Sequence, residues 1–227
     1  MTVCNSDITA VYYTSNVEDS VFEQRIGEAL VEAANGTPII SVSHKPMNLG
    51  KNICVGDIEV STQNGYMQLL TGLEAATTKW ACTAVADSAY PPEYFHFVPP
   101  REDSFYIAGP LWVFFAQRGR PRRFVKKPKG SELAMVCSRQ LLMDRIKTIL
   151  EPIGGSWGPH DSGEKHLWPY LMYHPSVRRE RFSLPNPCIT VKTDNQMHRN
   201  TPCRMSSKTN EIPYWGTVEQ FQNRFFK

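Results

Sequence analysis

The chain lacks several features that would assign it to a special class of protein. Its 227 residues contain no run of about 18 apolar residues, the length that a membrane-spanning helix requires. The opening segment MTVCNSDITAVYY does not join a basic stretch to an apolar one, so it does not resemble a secretory signal. The six cysteines form no CxxC pair, which argues against a zinc site and a disulfide scaffold. We therefore expect a reduced cytoplasmic protein without membrane association.

Net charge is also small, at +3, but it is unevenly distributed. The segment RGRPRRFVKKPK, residues 118–129, holds seven Lys or Arg residues and no acid. Because the rest of the chain is then mildly acidic, this basic segment could face phosphate groups. The alternative interpretation is a solvated hairpin without a charged partner.

About the first ninety residues alternate between two patterns. DITAVYY, PIISVS and KWACTAVAD are apolar runs that predict strands, and residues 17–34 and 64–77 have the periodicity of amphipathic helices. Thr14, Ser15 and Asn16 have the side chains of helix-capping residues. This order predicts an open, mostly parallel α/β sheet with helices on both faces. Since such sheets bind ligands beyond the carboxyl ends of their strands, Asp87 is expected at the ligand-binding edge.

The second half of the chain has a different pattern. FYIAGPLWVFFAQ and RRFVKK surround RGRP, which predicts a hairpin over residues 112–130. Residues 131–150 predict a helix, PCITVK predicts a late strand, and the aromatic tail is expected to pack against the body. The length of the chain fits a single domain over residues 1–227.

Several segments of the sequence are similar to segments of a known protein family. AVYYTSN, TPIISVSHKPMNLGKNICVGD, YMQLLTGLEAATTKW and VADSAYPPEYFHFVPP are similar to segments of GT-A-fold glycosyltransferases, and among these to small phage-type nucleotide-sugar transferases. FYIAGPLWVF, SELAMVCSRQLL, PCITVK and IPYWG extend the resemblance over most of the chain. The resemblance implies a GT-A-like open mixed sheet, with a nucleotide-sugar-binding half at 1–100 and an acceptor-binding half at 101–227. It also implies a UDP-sugar donor and, for a phage-encoded protein, the host cytoplasm.

The same resemblance suggests which residues bind the donor. The candidates for the nucleoside and its phosphates are Thr14, Ser15, Asn16, Lys51, Asn52 and Lys192. The alternatives are that the first three only cap the helix and that Lys51 and Asn52 lie in an exposed turn.

The acidic motif departs from the family pattern. The usual strand end carries two or three acids, the last of which binds a divalent cation, but Val85 and Ala86 precede Asp87 here. Asp194 follows the late strand, where related enzymes place a histidine, and is the second candidate ligand for Mn²⁺ or Mg²⁺. The losses leave a weakened or metal-independent diphosphate site, or a protein without catalysis; we favour an active enzyme.

A transferase that inverts the sugar also needs a group that takes the proton of the acceptor hydroxyl. Glu132 is the first candidate, followed by Asp161 and His166 in the loop GPHDSGEKH. Glu132 could equally stabilise the first turn of a helix.

The resemblance to phage enzymes implies DNA as the acceptor, through a hydroxylated or hydroxymethylated pyrimidine flipped out of the duplex. The residues expected to contact its phosphates are Arg118, Arg120, Arg122, Arg123, Lys126 and Lys127. Arg178, Arg179 and Arg181 are expected to neutralise further phosphates. The alternatives are an inactive nucleotide- or DNA-binding module, and a transferase that acts on a glycan or lipid.

Overall fold

The fold is seen in a computed structural model that describes residues 7–127, 130–151, 177–196 and 207–227. The strands are β1 (Ile8–Thr14), β2 (Ile39–Ser43), β3 (Lys51–Cys54), β4 (Trp80–Val85), β5 (Ser88–Ala89), β6 (Ser104–Phe115), β7 (Phe124–Lys127), β8 (Met135–Ser138), β9 (Arg178–Lys192), β10 (Lys208–Thr209), β11 (Glu211–Ile212) and β12 (Gly216–Thr217). The α-helices are α1 (Ser20–Ala34), α2 (Thr62–Ala75), α3 (Pro92–Phe95), α4 (Arg139–Leu150) and α5 (Val218–Phe226). A 3₁₀ turn covers Glu132–Ala134.

One mixed sheet organises these elements. Strands β3, β2, β1 and β4 lie side by side and parallel, in that order. The antiparallel strand β8 then separates β4 from β6, and β7 and β10 continue the sheet beyond β6. Strand β9 runs parallel to β6 and also pairs with the short strand β5. The predicted open mixed sheet is confirmed.

Both faces of the sheet are covered by helices. Along β1, Ile8, Ala10 and Tyr12 pack in a cluster with residues of α1, α3 and α5. Val11, on the other face, packs with residues of α2 and α4. A strand that is covered on both faces has a continuous apolar sequence rather than alternating apolar and polar residues, and β1 and β4 both have such sequences. A Cβ atom added at Gly72 would overlap the side chain of Val11, so this glycine lets α2 approach β1 closely.

Two local predictions differ from the structure: the residue that caps α1 and the location of Lys51 and Asn52. The prediction that Thr14, Ser15 and Asn16 cap α1 is wrong, because the side chain of Asp19 accepts the amide hydrogens of Val21 and Phe22 at 3.0 and 3.2 Å. Lys51 and Asn52 were expected in a loop, but they begin strand β3 at the edge beside β2.

The predicted helix over 131–150 is wrong in its first part. Residues 135–138 form β8, whose four residues are buried and hydrogen-bonded between β4 and β6. The helix begins only at Arg139, after Ser138 accepts the amide of Leu141 at 3.5 Å. Hydrogen bonding and burial between two longer strands outweigh the helical periodicity of this segment.

Other expectations are confirmed. Strands β6 and β7 form the antiparallel hairpin that carries the basic segment. The aromatic tail packs on the body, since Trp215, Phe221 and Phe225 are buried and the ring of Phe226 stacks on Phe22 at 4.7 Å. Among the described residues, no helix combines the length and apolar character needed to cross a membrane.

Candidate active site

The carboxyl ends of three parallel strands meet at one edge of the sheet. Thr14 at the end of β1 pairs with Ser43 at the end of β2, and the preceding Tyr13 pairs with Val85 at the end of β4. The polar residues that follow these strands are therefore brought to the same edge, which is where open α/β sheets bind ligands.

The loop after β1 is held by a buried carboxylate. Glu23, on the first turn of α1, accepts the Thr14 hydroxyl and also the Asn16 side-chain amide, which lies 3.2 Å from both carboxylate oxygens. The side-chain oxygen Oδ1 of Asn16 accepts the main-chain amide of Lys45 at 2.8 Å, which ties this loop to the one after β2. Asn16 has a φ of 51°, a left-handed conformation that asparagine adopts more readily than most residues. Thr14, Ser15 and Asn16 thus border the edge, with two of their side chains fixing its shape.

Asn52 has a similar structural role at the neighbouring strand. Its amide group donates to the hydroxyls of Ser41 and Ser43 at 2.9 and 2.8 Å, and its carbonyl oxygen accepts the amide of Met47 at 3.2 Å. These bonds hold the loop that follows β2. Lys51, beside it, is exposed.

Asp87 lies where β4 leaves the sheet. Its main-chain oxygen accepts the amide of Val191 at 2.7 Å, which places the end of β9 directly beside it. Its carboxylate accepts the hydroxyl of Ser88 at 3.1 Å and the side-chain amide of Gln196. Burial raises the pKa of Asp87, and the positive charge of the buried Lys192 is the largest effect that opposes the rise.

Glu18, which the sequence analysis did not single out, belongs to the same group of charges. Both of its carboxylate oxygens lie within hydrogen-bonding distance of the Thr193 hydroxyl, at 3.0 and 2.7 Å. Burial raises the pKa of Glu18 to about 7; the charges of Asp87 and Glu23 add to the rise, while the Thr193 hydroxyl and Lys192 oppose it. The local sequence offers no signal for this residue, because its partner is distant in the chain.

Glu132 lies at the same edge, in the 3₁₀ turn before β8. Its main-chain oxygen accepts the hydroxyl of Thr83 on β4, and its carboxylate lies 3.5 Å from the hydroxyl of Ser131. Burial, and after it the charge of Glu132, raises the pKa of Tyr13 and of Tyr66. The charge of Asp87 adds a smaller contribution to the raised pKa of Tyr13.

The remaining candidate bases, Asp161 and His166, lie outside the described residues. Their role in proton transfer therefore stays a prediction.

The residues at this edge do not fit a divalent cation held by Asp87 and Asp194. Asp194 accepts the main-chain amide of Arg118 at 3.2 Å, with the Arg118 guanidinium 4.0 Å away. Asp87 is engaged by Gln196 and lies in the field of Lys192, whose positive charge would repel a metal ion. Within the described ranges, no group of three or more His, Cys, Asp or Glu side chains could hold a metal. The predicted Mn²⁺ or Mg²⁺ site therefore enters no step of the mechanism below.

The basic hairpin reaches the same edge. The amide of Ala116, just after β6, donates to the main-chain oxygen of Lys192 at 2.9 Å, so the turn that follows lies beside the end of β9. The turn residues Arg118, Arg120 and Arg122 are exposed, as is Lys126, while Arg123 and Lys127 are partly buried. The guanidinium of Arg120 lies 5.3 Å from the ring centre of Phe115.

A second arginine group lies far from this turn. Arg178, Arg179 and Arg181 pair with Ser104–Ile107 at the start of β6, whereas Lys192 pairs with Phe115 at its end. A strand that rises about 3.3 Å per residue separates these ends by roughly 35 Å. The three arginines therefore do not form one continuous surface with the exposed turn, and their contact with phosphates stays a prediction.

The sheet order, the helices on both faces and the polar edge define a GT-A-like fold of the nucleotide-diphospho-sugar transferase type. No protein-family model and no curated protein matches the sequence. Among solved structures, the fold is similar to that of S. aureus TarS 1-349 in complex with UDP-GlcNAc, with a TM-score of 0.52 and 12% identity over 87% of this chain. The chain spans 62% of that structure's length.

A second solved structure of similar fold is the inositol-1-phosphate CTP transferase of T. maritima. Its TM-score is 0.51, with 10% identity over 88% of this chain and 94% of that one. At such identities the likeness concerns the fold, and the reaction has to be argued from the site.

Proposed function

We propose that the protein is a glycosyltransferase that moves a sugar from a nucleotide diphosphate, with UDP as the expected carrier, to a hydroxyl acceptor. The observation that carries this proposal is a buried lysine, Lys192, at the carboxyl edge of a nucleotide-transferase fold, where the preceding Val191 donates its amide to the main-chain oxygen of Asp87 at 2.7 Å. A buried ammonium beside loops that expose polar groups suits a diphosphate, because charge-assisted hydrogen bonds are strong where water is excluded. The complex of TarS with UDP-GlcNAc supports the choice of donor.

Each group then has a defined part in the reaction. The loops after β1 and β2 border the nucleoside, and the ammonium of Lys192 contacts the diphosphate. Glu132 takes the proton of the acceptor hydroxyl as the acceptor oxygen bonds to the anomeric carbon of the sugar. The bond from that carbon to the phosphate oxygen breaks, and the electron pair leaves with UDP, where Lys192 offsets the developing charge.

Calorimetric titration with UDP and UDP-GlcNAc, with and without Mn²⁺, tests the donor site. We expect binding without metal, and a loss of about 10- to 100-fold in affinity for Lys192→Met, which removes a charge-assisted hydrogen bond. Lys147→Met is the matched control, because Lys147 lies on α4 in an exposed ion pair with Glu74. The absence of any binding of these nucleotides to the wild-type protein would refute the proposal.

Product analysis separates glycosyl transfer from nucleotidyl transfer. Incubation with UDP-GlcNAc releases UDP in the first reaction, whereas incubation with CTP and a phosphorylated alcohol releases pyrophosphate in the second. The near full-length match to the CTP transferase makes this comparison necessary. Release of pyrophosphate alone would reassign the protein to nucleotidyl transfer.

For the acceptor we propose DNA that carries a hydroxylated or hydroxymethylated pyrimidine. The support is the exposed basic turn, which lies at the same edge as the proposed donor site and could contact backbone phosphates. Mass spectrometry of hydroxymethylated and unmodified duplexes after incubation with donor is the test. A mass gain by a glycan or lipid acceptor and none by DNA would favour the alternative transferase. Donor binding without any turnover would favour the inactive binding module.

A further inference from the structure

A pair of side chains joins the loop after β1 to the end of β9. Glu18 and Thr193 are separated by 175 positions in the chain, yet both carboxylate oxygens of Glu18 approach the Thr193 hydroxyl, at 3.0 and 2.7 Å. Thr193 is only 8% exposed, and its hydroxyl oxygen also accepts the amide of Asn195 at 3.2 Å. The contact is therefore an ordered part of the site rather than a surface pair.

The residue before Thr193 is Lys192, so the contact acts directly on the backbone that carries the lysine. Two further bonds reach the same segment: Val191 donates to the main-chain oxygen of Asp87, and Lys192 accepts the amide of Ala116. The lysine is thus held on three sides, by the strand ends of the first half, by the basic hairpin and by Glu18. A long flexible side chain gains precision when its backbone is fixed in this way.

We infer that Glu18 is a positioning residue of the proposed diphosphate site: by holding Thr193 it fixes the backbone that carries Lys192, next to Asp87. This inference rests on the proposed function, because it assigns to Lys192 the diphosphate of the donor. It identifies a residue in the donor half whose partner lies in the acceptor half.

The charge of Glu18 has a second consequence for donor binding. The groups that face it are Asp87 after β4, Glu23 on α1, Tyr12 on β1 and Lys192 on β9. A diphosphate placed here favours the neutral form of Glu18, so donor binding is accompanied by proton uptake. Since burial raises the pKa of Glu18 to about 7, the affinity for UDP is expected to fall as the pH rises through that value.

The test is a double-mutant cycle on the affinity for UDP, measured by calorimetry. Glu18→Ala and Thr193→Val are each expected to weaken binding about 10-fold at pH 6.5, and the double variant by about 10-fold as well, because both remove the same contact. Glu18→Gln keeps an oxygen that accepts the hydroxyl, so it is expected to weaken binding less than Glu18→Ala does at pH 6.5 and to lose the part of the pH dependence that the carboxyl group of Glu18 contributes. Glu28→Gln, an exposed residue on α1, is the control.

The possible negative results distinguish the proposed function from the positioning role of Glu18. If the wild-type protein does not bind UDP, the proposed function falls and this inference falls with it. If the wild-type protein binds UDP but Glu18→Ala and Thr193→Val leave the affinity unchanged, or if their effects multiply to about 100-fold, only the positioning role is refuted. A pH profile of Glu18→Gln that matches the wild type would refute the role of its charge, and this variant preserves the shape of the site even where the alanine variant unfolds.

Discussion

Two groups of charges meet at the end of β9, and they differ in their contact with water. Glu18, Asp87 and Lys192 are buried or half-buried, and burial, with smaller effects of neighbouring charges, raises the pKa values of both acids. The basic turn a few residues away is exposed: the side chain of Arg118 is 98% accessible, and its contact with Asp194 spans 4.0 Å.

The difference shows that the number of charges in a segment does not indicate how much each charge contributes to the free energy of unfolding. A charge surrounded by water is screened, and an exposed ion pair stabilises a protein by at most about 1 kcal/mol. A charge held among apolar strands loses its hydration and depends on its neighbours, so the removal of one partner is costly. We therefore expect substitutions in the two groups to differ severalfold in their effect on the free energy of unfolding.

The largest effect is expected for Lys192→Met. Without the ammonium, Asp87 and Glu18 lose the positive charge that favours their ionised forms, and the free energy of unfolding at pH 8 falls by about 3–5 kcal/mol. At pH 5 the loss is smaller, because Glu18, whose pKa is raised to about 7, is then protonated. Urea unfolding at the two pH values measures the difference, with Lys147→Met as control. Equal losses at both pH values would contradict the electrostatic explanation.

The next effect concerns the loop after β1. Glu23→Ala removes the acceptor of the Thr14 hydroxyl and of the Asn16 amide, and is expected to lower the free energy of unfolding by about 2–3 kcal/mol. Glu28→Ala on the exposed face of the same helix provides the comparison and should leave the free energy of unfolding almost unchanged. If the two variants unfold at the same urea concentration, the buried network does not hold the loop.

Glu18→Gln should stabilise the protein. The folded-state pKa of Glu18 is raised from 4.5 to about 7, so ionisation opposes folding and the wild type loses stability as the pH rises through this range. The variant has no ionisable group at this position, so its free energy of unfolding at pH 8 should be about 1–2 kcal/mol higher than that of the wild type, after allowance for solvent screening of a half-buried group. At pH 4 the two proteins should unfold alike. A variant that is no more stable at pH 8 would place Glu18 in a more solvated environment.

The smallest effect on stability is expected for the basic turn. The double variant Arg118→Gln and Arg122→Gln should change the free energy of unfolding by less than about 0.5 kcal/mol, because both side chains are exposed. If the turn contacts DNA, the same variant should reduce the slope of log affinity against log salt by about 2, since each phosphate contact contributes about 0.9. An unchanged slope would show that the turn does not contact phosphates.

Much of the fold could be predicted from local patterns. The runs at β1, β2 and β4 are apolar because both faces of these strands are covered, and the helical periodicity of α1 and α2 reflects one buried face each. The sequence predicts a helix over segment 135–138, since three apolar residues and a serine next to an amphipathic run give no strand signal of their own. The segment forms a strand because its backbone can hydrogen-bond to β4 on one side and to β6 on the other.

The site could be predicted only in part. Asp87, Lys192 and Glu132 were singled out from their positions, and the structure brings all three to one edge of the sheet. Glu18, Thr193 and Gln196 were missed, because each matters through a partner from another part of the chain. Asp194 was assigned to a metal and lies instead against Arg118.

The sequence by itself determined the alternation of strands and helices and the placement of Asp87 after a buried strand, because periodicity and burial act over a few neighbouring residues. Only the tertiary structure decided which charges share a buried environment. The register of β9 against β5 and β6 sets Lys192 beside Asp87 and Thr193 beside Glu18, and that register depends on packing across the whole sheet. The same pairing carries Arg178 and its neighbours to the opposite end of the sheet, away from the basic turn that they resemble in composition.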